Sequence, residues 1–231
     1  MTHPLDNPVW NALSTGNKNL ALGTETVKFY PTDVAPFVGF DQNSVENFEL
    51  LYHLVPSDGA FFAFVSKEER DIPKPWNVIK SIPLVQMVYE KSPQRSFLDL
   101  DVKNLTDQHI PQMLDLTALT KPGPFRERTI DFGHYQGIFD GEQLVAMTGQ
   151  RMNAAPYAEV SAVCTHPDYL GRGYAAQLML RQISRMLLKG EIPFLHATQT
   201  NERAIKLYES LGFVIRSKPY IYLITKEMGS I

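Results

Sequence analysis

The segment EVSAVCTHPDYLGRGYAA, residues 159–176, decides how this chain folds. Its first seven residues are strand-forming in type, and a short polar loop follows. Gly171 and Gly173 then stand where a helix begins. That helix is expected to run from Gly171 to Lys189, with Gly190 as its stop and Arg185 and Lys189 at its negative end. Small residues at a helix start let the backbone N–H groups of Gly171, Gly173, Tyr174 and Ala175 come close to a ligand. The helix N-terminus adds positive potential, so the site suits a phosphate or pyrophosphate, with Arg172 as a mobile counter-charge. The same pattern can also close a tight loop that binds nothing.

Gly171-x-Gly173-x-x-Ala176 also fits the dinucleotide fingerprint GxGxxA, and Glu191 lies 20 residues beyond Gly171. The context excludes that reading. A dinucleotide-binding strand runs directly into its first glycine, whereas His166-Pro167-Asp168-Tyr169 intervenes here. The acidic residue should end the second strand, yet Glu191 precedes the strand expected at Phe194.

Outward from this segment the elements alternate. Residues 97–102 (FLDLDV) alternate as a strand does. A helix follows, starting between Thr106 and Pro111, and KPGPF at 121–125 ends it. Residues 135–140 and 143–152 flank an Asp-Gly turn and form a β-hairpin. Strands are expected at 194–198, 213–215 and 220–226, and a helix at 201–211, which Gly212 terminates. The order is β-α-β-β-β-α-β-α-β-β, a mixed sheet flanked by helices.

The first part of the chain, from about Val9 to Glu90, carries no recognisable chemical motif. It contains a β-rich stretch at 19–30 and a helix at 44–54 with Ser44 as N-cap. A buried strand at 60–65 follows a Ser57-Asp58-Gly59 turn, and another strand lies at 84–89. Phe61, Phe62 and Phe64 read as core. KSPQRS at 91–96 is the best linker, so two units are expected, residues 1–95 and 96–231.

Composition narrows the function classes. Hydrophobic residues make up 44% and charged residues 20% of 231 residues, an ordinary globular balance. The net charge of −3 argues against a general nucleic-acid binder. Residues 1–120 hold 9 basic against 15 acidic residues and residues 121–231 hold 13 against 10, a hint that an anionic ligand belongs to the second unit, although solvated surface charge gives the same split. No apolar run approaches the roughly 18 residues of a membrane span. The single cysteine, Cys164, excludes an intramolecular disulfide and fits a reducing compartment, so a cytoplasmic protein is expected. No metal is expected, because His166 and His196 stand isolated with no ligand spacing. Cys164 lies mid-strand without a His-Asp pattern and reads as an inert thiol.

From Phe97 to Ile231 the chain resembles the GNAT superfamily of acyl-CoA-dependent N-acyltransferases. CTHPDYLGRGYA is similar to that family's pyrophosphate loop, V-x-P-x-x-[RQ]-x-x-G-x-[GA]; Gly173 and Ala175 match its last two positions, and Leu170 replaces the usual Arg or Gln. Asn201-x-x-Ala204-x-x-Leu207-Tyr208-x-x-Leu211-Gly212-Phe213 resembles the second signature, and Glu159 resembles the acidic residue at the start of the preceding strand. LHATQTNERAIKLYESLGF resembles the glycine N-acyltransferase-like branch, in which the amino-terminal half is often a degenerate second copy of the fold; residues 1–95 could be one.

The resemblance implies an α/β GNAT fold, a mixed and mostly antiparallel seven-stranded sheet flanked by helices, preceded by a smaller α/β domain. It implies acetyl-CoA or another acyl-CoA as co-substrate and a small amine or amino-acid-like acceptor, and a homodimer is compatible with it. Two strands of the family's sheet splay apart, and Val163, Cys164 and Thr165 would present backbone groups to the pantetheine there. Leu170, Gly171, Arg172, Gly173, Tyr174 and Ala175 would cradle the pyrophosphate, with Asn201 and Ala204 along the cofactor arm. Glu159 would be the general base and Tyr208 the donor of a proton to the CoA sulfur. Arg126 and Arg128, in the expected acceptor loop, could attract a carboxylate. A CoA-binding regulator without turnover is the alternative, suggested by Leu170.

Overall fold

The computed structural model describes residues 3–56, 59–91 and 100–226. The Ser57-Asp58 turn, most of the 91–96 linker, the boundary at 95/96 and the first half of the 97–102 strand lie outside the described residues. In chain order the elements are α1 (Pro8–Ser14), β1 (Leu22–Gly23), β2 (Val27–Phe29), β3 (Phe37–Phe40), α2 (Val45–Leu54), β4 (Phe61–Ser66) and β5 (Trp76–Tyr89). They continue with β6 (Val102–Asn104), α3 (Ile110–Thr120), β7 (Gln136–Asp140), β8 (Gln143–Ala154), β9 (Tyr157–Thr165), α4 (Tyr174–Leu188), β10 (Ile192–Thr198), α5 (Glu202–Leu211), β11 (Phe213–Ser217) and β12 (Tyr220–Lys226). From β6 onward the order is the expected β-α-β-β-β-α-β-α-β-β. None of the described helices is long and apolar enough to cross a membrane.

All twelve strands join one sheet, in the order β1-β2-β3-β4-β12-β5-β10-β9-β8-β7-β6, with β11 also on β5. Two pairings are parallel, β3–β4 and β9–β10, and the rest are antiparallel. Each parallel pair is bridged by a helix, α2 in the first half and α4 in the second, so the two halves repeat one strand–helix–strand crossover. Each half then gives one strand to the other. β5, which belongs to the first half by sequence, pairs with β10, while the terminal β12 lies between β4 and β5. The sheet is therefore continuous across the boundary expected at residue 95.

β5 is much longer than the strand expected at 84–89. Pro83 argues for a break, because it has no N–H for a ladder. The strand passes through it all the same: the Pro83 carbonyl accepts from the Gln199 N–H at 3.1 Å, and Leu84 N donates to Pro219 O at 2.8 Å. Beyond Pro83 the strand alternates cleanly. Val85, Met87 and Tyr89 face α4 and α5, and Leu84, Gln86 and Val88 face the other way. α4 begins three residues later than expected, because Gly173 stands in the left-handed region at φ 79° and forms the N-cap. Ser44 caps α2 as expected, accepting the Asn47 N–H at 3.3 Å, and Phe62 and Phe64 are buried beneath that helix.

α1 lies on the face opposite α2 and α4 and packs on β3 and β8, one strand from each half. Leu5, Val9 and Leu13 enter the core there with Tyr30, Phe37 and Met152. The close approach requires Gly39, since a Cβ at that position would stand 2.5 Å from Trp10 N and 2.8 Å from Trp10 Cα. Both are backbone atoms, which no rotamer change can relieve. Gly39→Ala is therefore expected to destabilise the protein by about 1–3 kcal/mol, seen in urea unfolding as a lower midpoint with an unchanged slope.

Candidate active site

β9 and β10 run side by side only from Tyr157 to Glu159 and from Ile192 to Phe194. Past Glu159 and Phe194 they share no pairing, although β9 continues to Thr165 and β10 to Thr198. A cavity of about 820 Å³ opens along the parted strands. Its wall includes Val160–Thr165 of β9, Leu195–Thr198 of β10, the loop before α4, the start of α5, and Thr120 to Gly123 at the end of α3.

Two irregularities in the β8–β9 ladder shape this wall. Between the pairs Met147–Cys164 and Gly149–Ser161, β9 carries one residue more than β8. Ala162 stands there at φ 51°, a conformation that is costly for any residue but glycine. The Thr148 hydroxyl donates to the Ser161 carbonyl at 3.0 Å. The extra residue shifts the alternation: Ala158 and Val160 face α4, whereas Ala162 and Cys164 face the opposite side. Between Gln150–Val160 and Asn153–Ala158 the surplus is on β8, where Arg151 and Met152 oppose Glu159.

Glu159 is fully buried, with 0% exposure. Its carboxylate accepts from Arg151 Nε at 2.8 Å, Arg151 Nη2 at 2.7 Å, His196 Nδ1 at 2.8 Å and Met152 N at 3.4 Å. Burial alone would raise its pKa. The Arg151 charge and hydrogen bonds, helped by His196, outweigh burial and hold it far below the usual carboxylate range. Glu159 does not line the cavity. Expected as the general base, it is out of a substrate's reach and binds protons too weakly for that task near neutral pH.

His196 is not isolated, as the sequence reading had it. The Gln86 side-chain oxygen accepts from Arg216 Nη1 at 2.7 Å and Ser217 Oγ at 3.2 Å, so its amide nitrogen donates, to Leu5 O at 2.8 Å and His196 Nε2 at 3.0 Å. His196 therefore carries its proton on Nδ1, toward Glu159, and its Nε2 lone pair is already engaged.

The remaining expected residues largely converge. Val163, Cys164, Thr165, Leu170, Gly171, Gly173, Tyr174, Ala175, Asn201, Ala204 and Tyr208 all line the one cavity. Arg172 does not; its guanidinium sits over the Tyr169 ring, 4.5 Å from the centroid. A Cβ built on Gly171 meets no atom within 4 Å, so open space lies beside this loop. The first bond of α4 runs from Gln177 N to Gly173 O, which leaves the N–H groups of the first turn without intrahelical partners. Asn201 is the N-cap of α5, its side-chain oxygen accepting the Ala204 N–H at 3.2 Å. Tyr208 packs its ring on Phe213, and its hydroxyl makes no hydrogen bond among the described residues. Burial pushes its pKa up to about 12, and burial does the same for the Cys164 thiol. Arg128 is paired with Asp131 and Asp107, and Arg126 donates to Thr32 O while lying over the Phe61 ring, so neither lines the cavity.

The FR47-like protein family model matches residues 135–221. A protein from Novosphingobium aromaticivorans assigned to the GNAT family of acetyltransferases is 35% identical, over 98% of this chain and 100% of its own length, and superimposes with a TM-score of 0.91. A GCN5-related N-acetyltransferase from Kribbella flavida, 12% identical, covers 96% of each chain at a TM-score of 0.60. A GNAT-family acetyltransferase from Colwellia psychrerythraea, also 12% identical, covers 94% of this chain and 97% of its own at 0.52. These last two are alike in fold. No curated protein matches the sequence.

Replacing Glu159 by Gln leaves the buried Arg151 charge uncompensated, at an expected cost of about 3–5 kcal/mol. A carboxylate with a depressed folded pKa contributes its stability above its unfolded value, 4.5, and loses it as pH falls below that. The melting temperatures of wild type and E159Q should thus be far apart at pH 7 and converge as the solution is acidified below pH 4.5.

Proposed function

The chain belongs to the GNAT family, and from that premise we propose that it is an N-acyltransferase that moves an acyl group, acetyl in the first instance, from coenzyme A to the amine of a small molecule. The observation that carries this reading is the cavity between the parted strands, with the glycine loop along one wall and Tyr208 along another. The cavity suits acyl-CoA on two counts. The open space beside Gly171 and the first-turn N–H groups of α4, which have no intrahelical partners, suit a pyrophosphate. The splayed edges of β9 and β10 offer backbone groups to an extended pantetheine. Acyl-CoA would supply the activated thioester.

In this reading Leu170 to Ala175 hold the phosphates through backbone groups, and Arg172 adds charge from the flank. Val163, Cys164 and Thr165 align the arm, and Asn201 and Ala204 border it. Tyr208 keeps its proton at neutral pH, because burial raises its pKa, and holds that proton at Oη for the departing sulfur. Glu159 acts as an anchor for Arg151 and His196. The amine reacts from its neutral fraction and gives up its proton to water. We also read residues 1–95 as the degenerate copy and 96–231 as the catalytic unit, which fits the repeated crossover and the glycine N-acyltransferase-like branch. The reducing cytoplasm suits its single buried thiol.

Thiol release from acetyl-CoA against a panel of amines tests the proposal. Turnover is expected, and Tyr208→Phe should lower kcat by about a hundredfold or more while leaving CoA affinity nearly unchanged. Tight CoA binding with no turnover on any amine would instead make the protein a CoA-binding regulator.

A further inference from the structure

We propose that Arg151 is a carboxylate receptor in the slot, so that the reacting pair brings a carboxylate into the cavity, either on the acceptor amine or on the transferred acyl group. The proposal rests on the acyltransferase reading above and names a specificity-determining residue within it.

Arg151 lines the cavity, and its side chain is only 13% exposed. A guanidinium has five N–H donors in a rigid fork. Glu159 takes two of them, one on Nε and one on Nη2. The two on Nη1 and the second on Nη2 have no partner among the described residues. The face of the group lies over the Phe37 ring, 4.7 Å from its centroid, which fixes the plane of the fork and leaves its free edge as the binding surface. The imbalance runs one way. The Glu159 carboxylate receives four donors, including the His196 N–H, and is saturated, whereas its partner is short of acceptors. No Arg151 nitrogen is among the buried unpartnered atoms, so the free edge opens on the cavity, where an acceptor can reach it.

The surroundings favour an anion. Lys121 and Arg203 line the same cavity, and no Asp or Glu does among the described residues. Lys121 stands at the end of α3 in the left-handed region and forms no ion pair among the described residues. The phosphates of CoA do not answer this need. Arg151 sits beside Glu159, near the start of β9, while the glycine loop follows Thr165 at the other end, about 20 Å away along the strand at 3.3 Å per residue. A carboxylate presents two coplanar oxygens to such a fork, and the charge-assisted pair is strong where water is excluded.

The test uses the full chain with matched partners. In one arm acetyl-CoA is offered with glycine or glycinamide, and with alanine or alaninamide. In the other, one neutral amine is offered with succinyl-CoA or butyryl-CoA. A preference of at least about tenfold in kcat/KM for the carboxylate-bearing partner is expected in one arm, and that arm identifies the source. Arg151→Lys keeps the charge but loses the fork, and is expected to erase the preference. Thermal protection of the CoA-loaded chain by acetate over acetamide gives a second reading that needs no turnover, and it too should vanish in R151K. Equal rates in both arms with equal protection by acetate and acetamide would overturn the receptor while leaving the acyltransferase reading intact. A preference that survives in R151K would also overturn it. No turnover with any partner, alongside Arg151-dependent protection by acetate, would keep the receptor and remove the acyltransferase. If R151K does not fold, the comparison of matched partners on the wild type decides.

Discussion

A sheet that opens in its middle must be held shut at the point of opening, and here a single buried carboxylate does the holding. Glu159 occupies the last position of β9 that pairs with β10, and it binds Arg151 of β8 on one side and His196 of β10 on the other. It therefore ties three adjacent strands across the place where two of them part. Burying a carboxylate is unfavourable in itself; the arginine fork, the imidazole N–H and a main-chain N–H together reverse that penalty. The bulge that sets Arg151 and Met152 opposite Glu159 brings the fork to the carboxylate, so backbone irregularity and ion pair form one device.

The clasp reaches further than its own three strands. His196 leans on Gln86 of β5, Gln86 on Arg216 of β11, and Arg216 on Asp6 near the amino terminus. Through these contacts the motif-free first half supports the floor of the slot. α1 has the same character, since it packs on one strand from each half with Gly39 allowing backbone to meet backbone.

The second half of the fold was largely legible in the sequence because its signals are local. Gly212 ends α5, Asn201 caps it, the glycines precede α4, and an Asp-Gly turn joins β7 to β8. The expected residues along the cavity came from the same local patterns, and most of them do share one wall. What escaped is non-local. Glu159 was singled out, but its partners were not. Arg151 reaches it only through a register shift in β8, and His196 lies 37 positions away across a short parallel pairing. Gln86 was hidden further still, because Pro83 breaks the alternation that would have marked a long β5 and because its neighbours come from the opposite half of the chain. Helix α4 starts three residues after the position its sequence suggests, since a left-handed glycine N-cap looks like a helical residue in sequence.

The exchange of β5 and β12 sets an order of events during synthesis. β4 leaves the ribosome early, but its partner β12 follows about 150 residues later, which at roughly 5–20 residues per second is a delay of about 10–30 s. Through that interval the first half has an unfinished edge carrying the apolar sequence Phe61–Ser66. Neither half can complete its sheet until β12 has been made, and the nascent protein has an aggregation-prone strand to protect until then.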